Sequence, residues 1–126
     1  MPFSRAIGGS WIAGTDIFQV SMPPVYYSPR FKREFSCPFG AETDFSSIPR
    51  VAWTILGVTP TSHQVRRAGV IHDHLYKTGE LSRADSDQLF YDMVRAEGLG
   101  YIRGQLCFQA LRAFGGVNYR KGLNDA

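Results

Sequence analysis

Apolar positions along the chain follow two different periods, and the change falls near residue 45. Before it, short runs rich in Val, Ile, Tyr and Phe ("WIAG", "DIFQVSM", "VYYS" and "REFSCPFGAETDF") are separated by turn segments such as "MPP" and "SPRF". Runs of this kind, punctuated by Gly, Pro and Ser, predict short strands in a small antiparallel meander. Pro23 and Pro24 have no N–H to give a ladder, so their segment belongs at a sheet edge or in a loop.

After residue 45 the apolar spacing turns helical. "SIPRVAWTILG" predicts a short helix with Pro49 in its first turn and Gly57 at its end. "TPTSHQVRRAGVIHDHLYKTG" predicts a second helix, capped by Thr61 or Ser62 and stopped by Gly79. Its apolar stripe is Val65, Ala68, Ile71, His72 and Leu75. "LSRADSDQLFYDMVRAEGLG" predicts a third, with Ser82 as N-cap and a stripe of Phe90, Met93 and Val94. "YIRGQLCFQALRAFGG" predicts the last, apolar at Ile102, Leu106, Ala110 and Phe114. The expected fold is α+β: an N-terminal antiparallel meander, then a short helix and three main helices. One domain covers residues 1–126, β-rich to about 45, helical over about 46–117, with a tail from 118.

One stripe contains an ionisable residue, and helix geometry supplies its partner. The second and third helices are joined by about four residues, which forces an antiparallel hairpin. His72 lies five residues before one end of that turn and Asp87 five residues after the other. At 1.5 Å per residue both stand roughly 7 to 8 Å from the turn, on their helices' apolar sides. A hydrogen-bonded His72–Asp87 pair across the hairpin is therefore expected. Such a carboxylate would hold the imidazole in one tautomer and leave its other nitrogen free to act as a base. The alternative is a satisfied buried polar pair that does no chemistry.

The neighbouring polar residues divide by position. Asp85, three residues after Ser82, suits a capping-box role. Asp92 falls on a solvated face, and His74, about 200° around from His72, is expected to face solvent. Asp73 either pairs with Lys77 at i+4 or reaches a cation bound beside the imidazole. Asp44, in "ETDFSSIPR", is either an Asx-turn or cap residue or a ligand contributed by a loop near the hairpin. "CPFGAET" ahead of it could offer backbone carbonyls to a hard cation. His63 and His72 do not match a standard zinc spacing.

Composition narrows the function classes without naming one. The 126 residues, 44% hydrophobic and 20% charged, describe a foldable globular chain rather than a disordered one. Apolar runs are far shorter than the roughly 20 residues of a membrane span, and no secretory leader is legible. Cys37 and Cys107 form neither a disulfide scaffold nor a paired zinc-ligand set, and are expected as reduced, partly buried thiols. A formal charge of +3, spread over separated Arg and Lys residues, reads as solvated surface, Arg112 included, with no specific nucleic-acid motif.

The string "TDFSSIPR…AGVIHDHLYKTGELSRADSDQLFYDM" resembles a family of bacteriophage and prophage proteins known as domain of unknown function 1353. The likeness runs from about residue 15 to about residue 115. It implies a phage or prophage setting as a virion or lysis-associated component, made in the host cytoplasm without a signal peptide. Partners would be other virion proteins, and host membrane or cell-wall material. "HDHLYK" followed by "SRADSDQLFYDMV" also looks like the paired-helix core of small secreted phospholipases A2, the bacterial ones especially. By that resemblance His72 is the base that activates water, Asp87 the carboxylate that orients it, Tyr76 the supporting tyrosine and Asp73 a calcium ligand. The glycine-rich calcium loop of those enzymes has no plain counterpart, and "CPFGAETD" lies about thirty residues upstream.

Two functions follow. One is a hydrolase of esters or envelope material, in which Asp73 with Asp44 holds a calcium ion that polarises a carbonyl. The other is a non-catalytic tail or baseplate part. There His72 and Asp87 pin two helices, and Trp11, Phe18, Tyr26 and Tyr27 either dock a partner or pack at home.

Overall fold

The computed structural model describes residues 3–5, 7–15, 17–45, 54, 63–114 and 116. The expected short helix over 47–57, its Pro49 and Gly57, and the Thr61 or Ser62 cap lie outside the described residues, apart from Thr54. Among the described residues the architecture is α+β: six short antiparallel strands precede three long helices.

The strands are β1 (Phe3–Arg5), β2 (Gly8–Trp11), β3 (Phe18–Met22), β4 (Val25–Ser28), β5 (Arg33–Ser36) and β6 (Glu42–Thr43). They form two three-stranded sheets, ordered β1-β4-β5 and β2-β3-β6, where the sequence suggested one meander. Pro23 and Pro24 stand between β3 and β4, the central strands of the two sheets. Neither proline can donate to a ladder, so pairing breaks there and the chain changes sheet. Each central strand buries alternate residues: Phe18 and Val20 on β3, Tyr26 and Ser28 on β4. The aromatic N-terminal set therefore divides. Phe18 and Tyr26 are core, whereas Trp11 and Tyr27 remain exposed, Trp11 resting edge-on to Phe18 at 5.3 Å. Phe45 follows β6 with a left-handed backbone (φ 61°) and puts its ring against Phe18.

The helices are α1 (His63–Thr78), α2 (Arg83–Ala96) and α3 (Tyr101–Phe114), with α2 packed against both others. None of the described helices is long and apolar enough to cross a membrane. α1 ends where the Gly79 N–H donates to the Leu75 carbonyl at 2.9 Å. Ser82 caps α2, its Oγ accepting the Asp85 N–H at 3.1 Å, so the expected cap is present. The C-terminal end of α2 closes with paired bonds, Leu99 N–H to Val94 O and Gly98 N–H to Arg95 O, both 3.0 Å. This is a Schellman turn: Gly98 takes φ 102° and Leu99 is folded into the core.

Two expectations about helix faces are corrected. α3 buries Gly104, Cys107, Ala110 and Leu111, while Ile102, Leu106 and Phe114 are exposed. Small residues let α3 approach α2 closely. A Cβ at Gly104 would already stand 3.4 Å from the Tyr91 ring, so backbone proximity outweighs the larger apolar side chains. Asp92 is not solvated: Arg30, from the β4–β5 turn, grips it through two hydrogen bonds of 2.8 and 3.2 Å. The cysteines are free and buried, and burial pushes the thiols up to about 11 for Cys37 and about 12 for Cys107.

The Schellman turn carries a prediction. Replacing Gly98 by Ala meets no neighbouring atom, so only the backbone conformation opposes it. Urea unfolding is expected to show a loss of about 1–2 kcal/mol.

Candidate functional site

His72 and Asp87 meet as the hairpin geometry requires. The imidazole Nε2 lies 2.8 Å from Asp87 Oδ1, and both side chains are fully buried (0% exposed). Tyr76, one turn after His72 on α1, donates its hydroxyl to the same Oδ1 at 2.5 Å. The imidazole and phenol rings lean together with centroids 4.2 Å apart, and Phe90 of α2 closes over the imidazole at 5.1 Å.

Two participants were not legible as such. Arg112, in the last turn of α3, donates from a guanidinium nitrogen to Asp87 Oδ2 at 3.1 Å, and is not the free surface charge the sequence suggested. Arg83, at the start of α2, lies close enough to the Tyr76 hydroxyl to act on it electrostatically and donates to the Leu111 and Arg112 carbonyls, each at 2.7 Å. The sequence signal for Arg112 was weak: a basic residue in a final turn complements the helix dipole wherever it points. Only the crossing of α3 over α2 aims it at Asp87.

The electrostatics follow from this packing. Burial alone would raise the Asp87 pKa. Hydrogen bonds from His72, Tyr76 and Arg112, with the charge at His72, overcome it and hold the carboxyl below the ordinary range. The same burial, with the adjacent carboxylate, pushes the Tyr76 phenol far above its usual value. Asp87 is therefore the anion and Tyr76 a neutral donor. With Asp87 ionised, Nε2 of a neutral His72 carries the hydrogen and Nδ1 the lone pair.

Asp73 faces away from this cluster. Its side chain pairs with Lys77 (Nζ–Oδ2 3.2 Å), the i+4 alternative of the two that the sequence left open. Asp73 lines a cavity of about 230 Å³ between α1 and the β-rich half. His74, expected in solvent, is half-buried and lines the same cavity. Asp44 is exposed in the loop after β6. Among the described residues no three His, Cys, Asp or Glu side chains gather as a metal-binding group. The side chain of His63 lies outside the described residues.

Comparison with known proteins bears on one of the two resemblances drawn from the sequence, the one to domain of unknown function 1353. Residues 18–111 match the family described as "Protein of unknown function (DUF1353)". The chain is 31% identical over 78 residues to "Uncharacterized protein y4jT" of Sinorhizobium fredii (strain NBRC 101917 / NGR234). That alignment takes in 62% of this chain and 23% of the relative, so the chain spans under a quarter of that protein's length. No solved structure matches. The match over residues 18–111 is most of the chain, and the protein belongs to the DUF1353 family.

The buried cluster generates a prediction about stability. Asp87→Asn leaves three donors from two neighbouring helices facing an amide, and chemical denaturation is expected to show a loss of about 3–5 kcal/mol. Lys77→Met, which removes the half-exposed partner of the buried Asp73 carboxylate, is expected to cost less than Asp87→Asn, because Asp73 loses one donor and Asp87 three. A carboxyl held below its unfolded pKa contributes stability above that value and loses it as pH falls through the folded pKa. Wild-type melting temperature should therefore fall below about pH 4, and Asp87→Asn should show a flatter acid limb.

Proposed function

We propose that this member of the DUF1353 family is a phage- or prophage-encoded hydrolase of esters or related envelope material, with His72 as its general base. The observation that supports this most is the shared Asp87 Oδ1, which receives both His72 Nε2 at 2.8 Å and the Tyr76 hydroxyl at 2.5 Å. An ionised carboxylate in that position fixes the imidazole's tautomer and ring plane and stabilises the imidazolium formed when a proton is taken.

The chemistry follows from those roles. His72 Nδ1 takes a proton from water, and the water oxygen bonds to the ester carbonyl carbon. The carbonyl π electrons move to oxygen as an oxyanion. The oxyanion then collapses, the ester C–O bond breaks, and the leaving alkoxide receives the proton from His72. The guanidinium groups of Arg83 and Arg112, both close to the cluster, make the local field favourable to the negative intermediate. The calcium expected through Asp73 and Asp44 has no three-residue ligand group among the described residues, and no step here uses it.

A second reading has its own support in the complete burial of His72 and Asp87. A base must meet water and substrate, whereas a polar clamp needs neither. In this reading the chain is a non-catalytic virion component, and the cluster only fixes how three helices cross.

Wild type and His72→Asn tested on phospholipid vesicles and a fluorogenic ester, with and without added calcium, separate the two. The hydrolase reading expects turnover in wild type and a fall of about 10³-fold or more in the variant, with the circular dichroism spectrum retained. Absence of turnover in wild type, or equal turnover in the variant, leaves the clamp.

A further inference from the structure

We propose that the cavity between α1 and the β-rich half binds a small primary alkylammonium ion, anchored on the Asp73 carboxylate. This site is independent of the hydrolase reading, because neither His72 nor Asp87 lines it.

Four observations carry the proposal. First, Asp73 is a buried carboxylate, its side chain 6% exposed, that forms part of the cavity wall. Its Oδ2 forms an ion pair with Lys77, and no ion pair from a described residue reaches Oδ1. A largely buried carboxylate whose second oxygen opens on a cavity can take a second cationic donor there.

Second, the molecule already supplies an ammonium there in cis. Lys77 Nζ lies 3.2 Å from Asp73 Oδ2 and donates to the Glu42 carbonyl at 2.9 Å. The Lys77 side chain is itself 53% exposed, so it stands at the mouth and is held by contacts that a competing ammonium can replace. It acts as an internal stand-in for the ligand.

Third, the rest of the wall is apolar where an alkyl chain would lie, with Val20, Ala41 and Val70 facing the space. About 230 Å³ is smaller than the roughly 300–1,000 Å³ of drug-sized sites, which limits the ligand to a few carbons. Fourth, the one histidine in the wall does not compete as a cation. Burial holds the His74 pKa below the ordinary histidine value, so near neutral pH the ring is uncharged.

An alkylammonium ion therefore matches the site in charge, donor count and size. A carboxylate ligand would meet Asp73 in repulsion, and a neutral alcohol would leave Oδ1 without a charge-assisted bond.

Butylammonium chloride is the probe, titrated into the full chain near neutral pH and followed by amide NMR shifts and calorimetry. Saturable shifts are expected at Thr43, Val70 and Asp73, with a dissociation constant of roughly millimolar order for so few atoms. Asp73→Asn should weaken binding at least about tenfold, and Lys77→Met should tighten it several-fold by removing the internal competitor. Butyrate and butanol serve as controls. The proposal is overturned if wild type and Lys77→Met show no saturable shift up to about 50 mM. It is equally overturned if a folded Asp73→Asn binds as wild type does, or if either control binds as well as the amine. Should Asp73→Asn fail to fold, Lys77→Met decides: tighter binding upholds the site, and unchanged or weaker binding removes it.

Discussion

A carboxylate with no access to water has to be satisfied by protein, and Asp87 draws the three described helices together to do so. His72 and Tyr76 reach it from α1, Arg112 from α3, and its own backbone belongs to α2. Each bond also restricts a crossing. The hairpin level of α1 and α2 is set by two donors one turn apart, and the placement of α3 by a guanidinium that must arrive in its last turn. Hydrophobic burial by Leu89, Phe90, Met93 and Leu111 supplies the larger share of stability, at roughly 1.5–3 kcal/mol for each full side chain, but it is tolerant of small slips. The charge is not tolerant. A slip of one residue along α1 would withdraw both donors and leave a buried anion uncompensated.

That constraint explains why α1 is buried around more of its circumference than an ordinary surface helix. His72 and Tyr76 serve the α2 side, while Val70 and Asp73 turn toward the β-rich half. Adjacent residues His72 and Asp73 differ by about 100° in direction, enough to give them separate environments. Asp87 is saturated by three donors, and Asp73 pairs through one oxygen with Lys77. Two buried carboxylates in one small domain thus keep different company: one is held by three buried or half-buried protein donors, the other by a single lysine that stands half in water.

What the sequence made legible follows the range of the interaction concerned. The His72–Asp87 pair was readable because a short turn converts residue counts into distances, and five residues on either side gave the same level. The Ser82 cap, the Gly79 stop and the Asp73–Lys77 pair were readable because each is closed within four residues. The misses are all long-range. Arg112 lies 25 residues from Asp87, and Arg30 lies 62 from Asp92. No local pattern distinguishes such an arginine from a solvated one. The α3 face was misread because apolar size suggested Ile102, Leu106 and Phe114, whereas close approach selected Gly104, Cys107 and Ala110. The split into two sheets lay in plain view at Pro23 and Pro24, but strand pattern alone does not say whether a broken ladder resumes in the same sheet.

Between a base and a clamp, the decisive quantity is what happens to the proton rather than how well the pair is made. A clamp is best served by a pair that never changes charge, and full burial with three donors on Asp87 serves that end. A base must take a proton and become imidazolium, a charge whose burial requires a compensating anion already in place. Asp87 meets that requirement too, since its depressed pKa keeps the carboxyl ionised. Arg112 limits the compensation, because it draws on the same carboxylate and adds to the positive charge that an imidazolium would join. An arrangement evolved solely as a clamp has no need of an imidazole, for which Asn or Gln would give a neutral donor without a titration. A titratable ring against an ionised, geometrically fixed carboxylate is what the base reading requires, and burial weighs against that reading only while water is kept from Nδ1.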